Sequence, residues 1–463
     1  MIQKIKLRDY QEKGITDLYH KWKFVKRLIL WSQMGSGKSE MASYIAQEAC
    51  NDDLPVIMIV RGRELVKNLS NRLDKYNIDH SVFMAGHYKM DRKKLIQICS
   101  IDTMISRKDF INSDKQCLLI LDECHKDYSI IFEKYPIQYI LGMTATPFSD
   151  MSNYQDFVQP LEPFELRDSG VLVPEKVYCP HVIDTSTLNI VAGDFKRDQV
   201  AQLVTQGEIV GNIIQDYKDY GEDRPAVCFA VNIEHSKQLR DKFINEGIPA
   251  IHCDASSSDD ERKKAHKDLE NGKIKVLCNV DIFSVGWDCP MVSCVILARP
   301  TWSLTWYLQA VGRGLRSFPN KKNCIILDNA GNVYRHGLPY RSRDISLKKT
   351  EKKKSKLKDD ITIRHCGECL AVYDSKMIVC PYCGAEKQIR TIKKVDGILR
   401  EYKETEEESN DRKIRESQIA FYKLKHVATK NHLSDKWIKN EIEKKYGQMV
   451  LPYIEELLRI KSK

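Results

Sequence analysis

Residues 30–39 form the glycine-rich stretch LWSQMGSGKS, which lies between an apolar run and a segment of helical pattern. The apolar run predicts a strand, and residues 40–50 predict the helix that follows. Glycines allow such a turn to form a ring of backbone N–H donors, and the helix N-terminus adds its positive end beneath the same anion. The stretch therefore predicts a phosphate-binding loop, in which Lys38 reaches the β- and γ-phosphates and Ser39 holds Mg²⁺. Because Ser32 stands where the full pattern has glycine, an ordinary strand–turn–helix stays open at this point.

The bulk composition indicates a folded protein of several domains. The chain has 463 residues, of which 42% are hydrophobic and 30% charged. Its net charge of +10 favours a polyanionic partner such as nucleic acid, although a merely basic protein would fit as well. No apolar run approaches the ~20 residues that span a bilayer, and the N-terminus has no signal-peptide core. We therefore expect a cytoplasmic location, which would be the host cytoplasm if a phage encodes the chain.

Two regions alternate short apolar strands with amphipathic helices, a pattern typical of parallel sheets covered on both faces. The predicted strands are 28–31, 56–60, 96–100, 118–121 and 139–143, and then 226–230, 250–252, 276–279, 292–297 and 323–327. Helices are predicted at 63–76, 233–246, 258–271, 303–315, 419–427, 437–446 and 451–460. The expected fold class is α/β, with two parallel-sheet domains in tandem.

Changes in composition suggest the domain bounds. We expect a first sheet domain that binds the phosphates at 1–150, an inter-domain connection at 151–200 and a second sheet domain at 201–345. After these we expect a lysine-rich linker at 346–360, a cysteine-bearing ribbon at 361–392 and a helical C-terminal segment at 393–463. The lysine-rich run fits either a solvated linker or an arm that touches phosphates.

The fifteen cysteines divide into two groups. Eleven are scattered between Cys50 and Cys324, mostly in apolar runs, which suits reduced and buried thiols. The other four form two Cys-x-x-Cys pairs with ten residues between them: Cys366, Cys369, Cys380 and Cys383. Four thiolates at this spacing favour a closed, structural Zn²⁺ site, with unpaired thiols or a redox pair as alternatives.

Two acidic residues follow an apolar strand within residues 118–125, which have the sequence LLILDECH. In a phosphate-loop ATPase the first carboxylate after such a strand orients Mg²⁺, and the second orients the attacking water. Asp122 and Glu123 fit these roles. A solvated acidic turn is the alternative, and the phosphate-binding loop upstream argues against it.

Several segments, taken in order, resemble the motifs of superfamily 2 helicases and translocases. They are residues 7–11 (LRDYQ), 122–125 (DECH), 142–147 (GMTATP), 285–290 (VGWDCP) and 309–316 (QAVGRGLR). The resemblance covers roughly residues 5–330, and it is strongest toward restriction-enzyme motor subunits and phage branch-migration helicases. It implies two RecA-like domains, ATP and Mg²⁺ as cofactors, and nucleic acid as the partner.

The resemblance also implies a role for each matching residue. The catalytic residues would be Lys38, Asp122, Glu123, Arg313 and Arg316, and the nucleotide would be bound by Arg8, Gln11, Gly35, Ser36, Gly37, Ser39, Gly286 and Asp288. The coupling of ATP to movement would depend on His125, Thr144, Thr146 and Gln309. Nucleic acid would contact Arg61, Thr103, Asn232 and Asn279. Arg313 and Arg316 are three residues apart, so we expect them on one face of a helix. From a second domain they would stabilise the charge that develops on the γ-phosphoryl group.

These observations predict an ATP-dependent helicase or translocase that acts on duplex, forked or branched DNA. An RNA helicase and a non-hydrolysing nucleic-acid-binding scaffold are the alternatives. Trp302 and Trp306 lie one helical turn apart, so they would either stack on bases or pack in the interior.

Overall fold

The structure, a computed structural model, describes most of the chain. The described residues are 5–84, 90–106, 116–135, 138–179, 185–205, 209–283, 287, 289–345, 347, 363–386, 413–414, 417, 420–421, 424–425, 428 and 433–462. Two compact units can be separated, one of residues 1–175 and 179–360 and one of residues 176–178 and 361–463. No helix among the described residues is long and apolar enough to cross a membrane.

The first sheet of the larger unit has seven parallel strands in the order β3-β4-β2-β5-β6-β1-β7. The strands are β1 (Arg27–Trp31), β2 (Val56–Val60), β3 (Ser81–Phe83), β4 (Ile96–Ser100), β5 (Leu118–Asp122), β6 (Tyr139–Thr144) and β7 (Asp156–Val158). The helices are α1 (Asp9–Lys21), α2 (Lys38–Asn51), α3 (Arg63–Lys75), α4 (Ile101–Ser106) and α5 (Ser129–Lys134).

Alternate residues of these strands enter two separate apolar clusters. Leu28 and Leu30 of β1 belong to one cluster, whereas Ile29 and Trp31 belong to the other. Because successive side chains of a strand point to opposite faces, both faces of the sheet are covered. This explains why the strands consist of nearly continuous apolar runs.

A second parallel sheet in the same unit has the order β12-β13-β11-β14-β15. Its strands are β11 (Ala226–Phe229), β12 (Ala250–Cys253), β13 (Val276–Asn279), β14 (Cys294–Leu297) and β15 (Cys324–Asp328). Its helices are α7 (Arg197–Thr205), α8 (Ile209–Tyr220), α9 (Ile233–Asn245), α10 (Asp259–Glu270), α11 (Leu304–Gly312) and α12 (Asn332–His336). The expected α/β class with two tandem RecA-like domains is confirmed.

The connection between the two sheets has structure of its own. It contains α6 (Pro163–Asp168), β8 (Glu175–Tyr178) and an antiparallel hairpin of β9 (Ile190–Val191) and β10 (Asp194–Phe195). Helix α6 begins with a proline in its first turn and with a capping box from Glu162 and Glu165.

The smaller unit contains a cysteine-bearing hairpin and C-terminal helices. Strands β16 (Ile363–His365) and β17 (Val372–Asp374) pair antiparallel, and Val372 also pairs with Val177. Helices α13 (Asp435–Tyr446) and α14 (Leu451–Ser462) follow. Seven buried residues of this segment form an apolar cluster: Phe421, Ala428, Ile438, Ile442, Val450, Ile454 and Leu458.

Most of the predicted elements are confirmed, and one helix differs in a way that matters for function. The predicted helix at 303–315 ends at Gly312, so Arg313 and Arg316 do not share a helix face. A Cβ at Gly314 would lie 2.4 Å from the Sγ of Cys324, because the chain leaves the helix here and passes close to β15. Residues 348–358, and all but a few of 419–427, lie outside the described residues.

Candidate active site

Three neighbouring strands of the first sheet, β5, β6 and β1, bring the predicted catalytic residues together. They end at Asp122, at Thr144 and at the glycine-rich loop, respectively. Because the strands are parallel and adjacent, these three ends meet at one edge of the sheet. The loop then enters α2 through Gly37, whose φ of 82° lies in the left-handed region that favours glycine.

Helix α1 holds the loop from the other side. The side-chain amide of Gln11 donates to the carbonyl oxygen of Ser36 over 3.1 Å, and the Tyr10 hydroxyl donates to the same oxygen over 2.5 Å. The Oε1 of Gln11 accepts from the backbone N–H of Arg8 over 2.9 Å, which fixes the orientation of the amide. A Cβ at Gly37 would lie 2.3 Å from the Gln11 Nε2, so a side chain there would displace this amide in addition to the strain from the positive φ.

Lys38 lies half-buried beneath the loop. Its Nζ donates to the carbonyl oxygens of Ser32 over 2.7 Å and Gln33 over 3.0 Å. Burial lowers the pKa of Lys38 to about 8, although the nearby carboxylates of Glu123 and Asp122 oppose the shift. The ammonium group thus lies between the loop and the two carboxylates, where it can contact an anion held by the loop.

The two carboxylates lie in different environments. Asp122 ends β5, and burial together with the charge of Glu123 raises its pKa to about 6. Glu123 has a φ of 49°, an uncommon conformation for a residue other than glycine. Its Oε2 is buried and lies 3.3 Å from the Nδ1 of His125.

His125 connects this carboxylate to the next strand. Its Nδ1 lies 2.9 Å from the Thr144 hydroxyl oxygen, which also accepts from the backbone N–H of Thr146. Burial lowers the pKa of His125 to about 4, so the imidazole is neutral at neutral pH. A continuous set of contacts therefore runs from Glu123 to the end of β6.

The second sheet contributes two arginines to the same place. Arg313 is 2% exposed, and it donates to the carbonyl oxygen of Trp287. Arg316 forms a β-bridge with Leu172, in the connection between the sheets. Burial lowers the pKa of both guanidinium groups to about 10, so both stay charged at neutral pH.

The two sheet domains approach each other closely at the glycines of this site. A Cβ at Gly312 would lie 3.1 Å from the Cβ of Met34, and one at Gly35 would lie 3.0 Å from the Cγ of Arg316. The loop and the arginine segment are therefore packed so closely that a side chain at either glycine would require the facing side chain, Met34 or Arg316, to shift. The glycines at both positions are explained by this approach.

A cavity of about 670 Å³ lies where these elements meet. Eight of the predicted catalytic or nucleotide-binding residues line it: Gly35, Gly37, Lys38, Ser39, Asp122, Glu123, Arg313 and Arg316. Gly286 and Asp288, predicted to bind the nucleotide, lie outside the described residues.

Comparisons with known proteins agree with this geometry. The family described as type III restriction enzyme, res subunit, matches residues 4–149, and the helicase conserved C-terminal domain matches residues 208–317. A 51.5 kDa protein of a Lactococcus phage is 30% identical over 374 residues, which cover 78% of each chain. The chain belongs to the superfamily 2 helicases. It is an ATP-hydrolysing helicase.

Two further similarities concern another translocase and the fold. The DNA 3'-5' translocase XPB2 of Sulfurisphaera tokodaii is 23% identical, over 68% of the helicase and 79% of the translocase. The structure of the ATP-dependent Type ISP restriction-modification enzyme LlaBIII, bound to DNA, matches with a TM-score of 0.52 and 18% identity. This match covers 70% of the helicase but 28% of LlaBIII, and it concerns the fold alone.

The residues predicted to contact nucleic acid are dispersed over this helicase. Arg61 donates to the carbonyl oxygen of Asp127 and lies 4.9 Å above the Tyr128 ring. Thr103 lies at the start of α4, where its hydroxyl is 3.0 Å from that of Ser100. These two residues follow the neighbouring strands β2 and β4.

In the second sheet, Asn232 caps α9 by accepting from the backbone N–H of His235 over 2.8 Å. Asn279 is fully buried, and its amide donates to the carbonyl oxygen of Cys228 over 3.0 Å. Both amides thus have structural roles in this conformation of the helicase.

Arg299, to which the sequence assigned no role in a site, contacts several residues at the edge of the second sheet. Arg299 is 5% exposed; it donates to Asp281 over 3.0 Å and to Asp194 of the hairpin, and it stacks on Trp306 at 4.2 Å. Trp306 is thus a half-buried packing residue, whereas Trp302 is 43% exposed. The partner Asp194 is about a hundred residues away in sequence, so no local pattern could have indicated this network.

The four paired cysteines form one cluster. All four Sγ atoms lie within 4.8 Å of one another, with Cys366 and Cys383 3.5 Å apart and Cys369 and Cys380 3.7 Å apart. Tetrahedral Zn²⁺ with bonds of about 2.3 Å needs sulfurs about 3.8 Å apart, so the donor set is compatible with Zn²⁺. Burial raises the pKa of Cys366, but backbone N–H groups and the neighbouring thiols lower it by more, to about 7.

Proposed function

We propose that this helicase acts on DNA and couples ATP hydrolysis to duplex unwinding or to remodelling of forks and branched DNA. The observation that carries the ATP-driven part is the cavity lined by the loop of one sheet domain and the arginines of the other. The choice of DNA is supported by the named activity of XPB2 and by the DNA bound to LlaBIII. A net charge of +10 favours the same kind of partner.

In the proposed reaction, the loop binds the triphosphate and Lys38 contacts the β- and γ-phosphates. Ser39 and Asp122 hold Mg²⁺, and Glu123 orients the attacking water. Support for the role of Glu123 comes from its buried Oε2, which has no hydrogen bond among the described residues. Gln11 reads the adenine, with Arg8 beside it. Gly286 and Asp288 are expected to complete the nucleotide site.

Arg313 and Arg316 stabilise the charge that develops on the γ-phosphoryl oxygens. Because they belong to the second sheet domain, hydrolysis depends on the closure of the two domains around ATP. Opening after hydrolysis would then move the protein along a strand. In this way the loss of the γ-phosphate would be converted into movement of the protein along the strand.

The proposed coupling runs from Glu123 through His125 to Thr144 and Thr146. The short contacts among their side chains support this path. Gln309 completes it from the second domain, because its Nε2 is buried and has no hydrogen bond among the described residues.

Nucleic acid would contact Arg61, Thr103, Asn232 and Asn279 chiefly through phosphates and sugars. Such binding is sensitive to salt and has little sequence preference. The cysteine cluster would hold a structural Zn²⁺ that allows the small ribbon to fold, since so few residues cannot bury a sufficient core. The ribbon would also provide a second surface that binds duplex or branched DNA.

The test is a substrate panel measured with the full chain: single-stranded DNA, duplex, fork, bubble, four-way junction and matched RNA duplexes. We expect DNA to stimulate ATP hydrolysis and forks or junctions to be remodelled faster than plain duplex. Equal activity on every duplex would favour plain translocation, and stimulation by RNA alone would favour an RNA helicase. No stimulation by either nucleic acid would overturn the proposal.

A further inference from the structure

The chain that follows α12 leaves the second sheet domain and runs back to the first. Residues 337–345 and Leu347 belong to neither a helix nor a strand, and we call them the clasp. The far end of the clasp packs on the first domain, since Ile345 and Leu347 lie against the apolar cluster that contains Ile29 and Trp31 of β1. The clasp therefore contacts a domain other than the one that it follows in sequence.

Arg343 gives the clasp a fixed shape. A segment without helix or strand has to satisfy its backbone carbonyl groups in another way. The guanidinium group of Arg343 donates to the carbonyl oxygens of His336, Leu338, Pro339 and Arg341, over 2.7–3.3 Å. Because these donors belong to one planar group, the carbonyl groups are held in one compact turn.

One end of the clasp is attached to α11, the helix that leads to the arginine segment, residues 313–316. The Tyr307 hydroxyl of α11 donates to the carbonyl oxygen of Gly337 over 3.1 Å. The Tyr307 ring, which is fully buried, also stacks on His336 with the ring centres 5.2 Å apart. The position of the clasp and the position of the arginine segment are therefore linked through one helix.

Two further contacts of the clasp lie near the glycine-rich loop. The carbonyl oxygen of Pro339 lies 3.5 Å from the Nε2 of Gln33, a residue of the loop. The guanidinium group of Arg167 in α6 lies 4.2 Å above the centre of the Tyr340 ring. Helix α6 packs in turn on Tyr10, whose hydroxyl donates to the loop. The clasp thus contacts the arginine helix at one end and the surroundings of the loop along its length.

We propose that the clasp holds the arginine segment of the second domain against the glycine-rich loop, with Tyr340, Ile345 and Leu347 as its positioning residues. The proposal rests on the ATP hydrolysis proposed for the cavity between these elements. Separation of the two domains would expose Ile345 and Leu347 to water and would remove Tyr340 from Arg167, so the clasp favours the closed arrangement. Its residues act through the position of the arginine segment rather than on the reacting atoms.

The test is hydrogen exchange followed by mass spectrometry on the full chain without nucleotide, compared with the double variant Ile345→Ser, Leu347→Ser. The backbone amides of residues 33–37 and 313–316 should exchange about tenfold faster in the variant. Losing two half-buried apolar side chains should raise the population of the open arrangement by about that factor. The conservative variant Ile345→Val, Leu347→Met should exchange as the unaltered chain does, because it keeps the apolar contacts.

The matched control is the double variant Val25→Ser, Leu54→Ser. These two side chains are also half-buried and apolar, but they pack against the other apolar cluster of the first domain. The control should leave the exchange of both segments unchanged.

The proposal is overturned if the clasp variant leaves the exchange of both segments unchanged, or if the control accelerates them equally. Equal acceleration would mean that the clasp contributes only to the general stability of the fold. The measurement needs no turnover, so failure of ATP hydrolysis in the unaltered chain would be a separate result that counts against the proposed function.

Discussion

The nucleotide cavity and the proposed nucleic-acid positions differ in what their side chains contact. In the cavity, eight predicted residues from two sheet domains line one space. At the nucleic-acid positions, each predicted side chain already bonds to its own chain, as Asn279 does to Cys228. Triphosphate chemistry requires particular groups in one place, whereas backbone contacts to nucleic acid can be made by many donors. Motif residues therefore identify the first kind of site more directly than the second.

The largest effect should follow from Lys38→Ala. This change removes the ammonium group that is proposed to contact the phosphates, so ATP hydrolysis should fall at least about 10³-fold. Steady-state phosphate release with saturating DNA measures it. The circular dichroism spectrum should stay unchanged, because α2 and β1 do not depend on the lysine. Retained hydrolysis in a folded variant would mean that the cavity is not the ATP site.

A pH dependence should distinguish the cavity from the proposed nucleic-acid positions. The pKa of Lys38 is about 8 without nucleotide, and a bound triphosphate would raise it. ATP affinity should therefore be full below pH 8 and fall as the pH rises above it, approaching tenfold per pH unit. The dissociation constant of a non-hydrolysable MgATP analogue, measured from pH 7 to pH 9, checks this. Lys38→Arg keeps its charge, so its affinity should show no such decline.

A smaller effect is expected from Arg61→Ala at the nucleic-acid edge. Losing one phosphate contact should weaken DNA binding a few-fold and make the slope of log K against log salt shallower by about one. Fluorescence anisotropy at several salt concentrations measures the slope. An unchanged slope would show that Arg61, which stacks on Tyr128, has only a structural role.

Asn279→Ala tests a predicted nucleic-acid position whose side chain is fully buried. Because the amide is buried against the Cys228 carbonyl, its removal should cost about 1–3 kcal/mol of unfolding free energy. The salt slope of DNA binding should stay as it is in the unaltered chain. A shallower slope would indicate that Asn279 turns outward when nucleic acid binds.

The sequence predicts the sheets well because apolar strands and glycine loops are local signals. Strands β2, β4 and β13 have the predicted bounds. The end of α11 was missed because the close approach of Gly314 to Cys324 is a tertiary contact.

The central claim is that the second domain completes the ATP site, and Arg316→Gln tests it most directly. Single-turnover cleavage of ATP by the full chain with saturating DNA should fall about 10³-fold, the effect expected of an arginine that stabilises the γ-phosphoryl charge. Binding of a non-hydrolysable MgATP analogue should change by no more than a few-fold, because the loop and Lys38 hold the nucleotide. Cleavage at the unaltered rate would contradict the claim and leave the first domain as a sufficient catalyst.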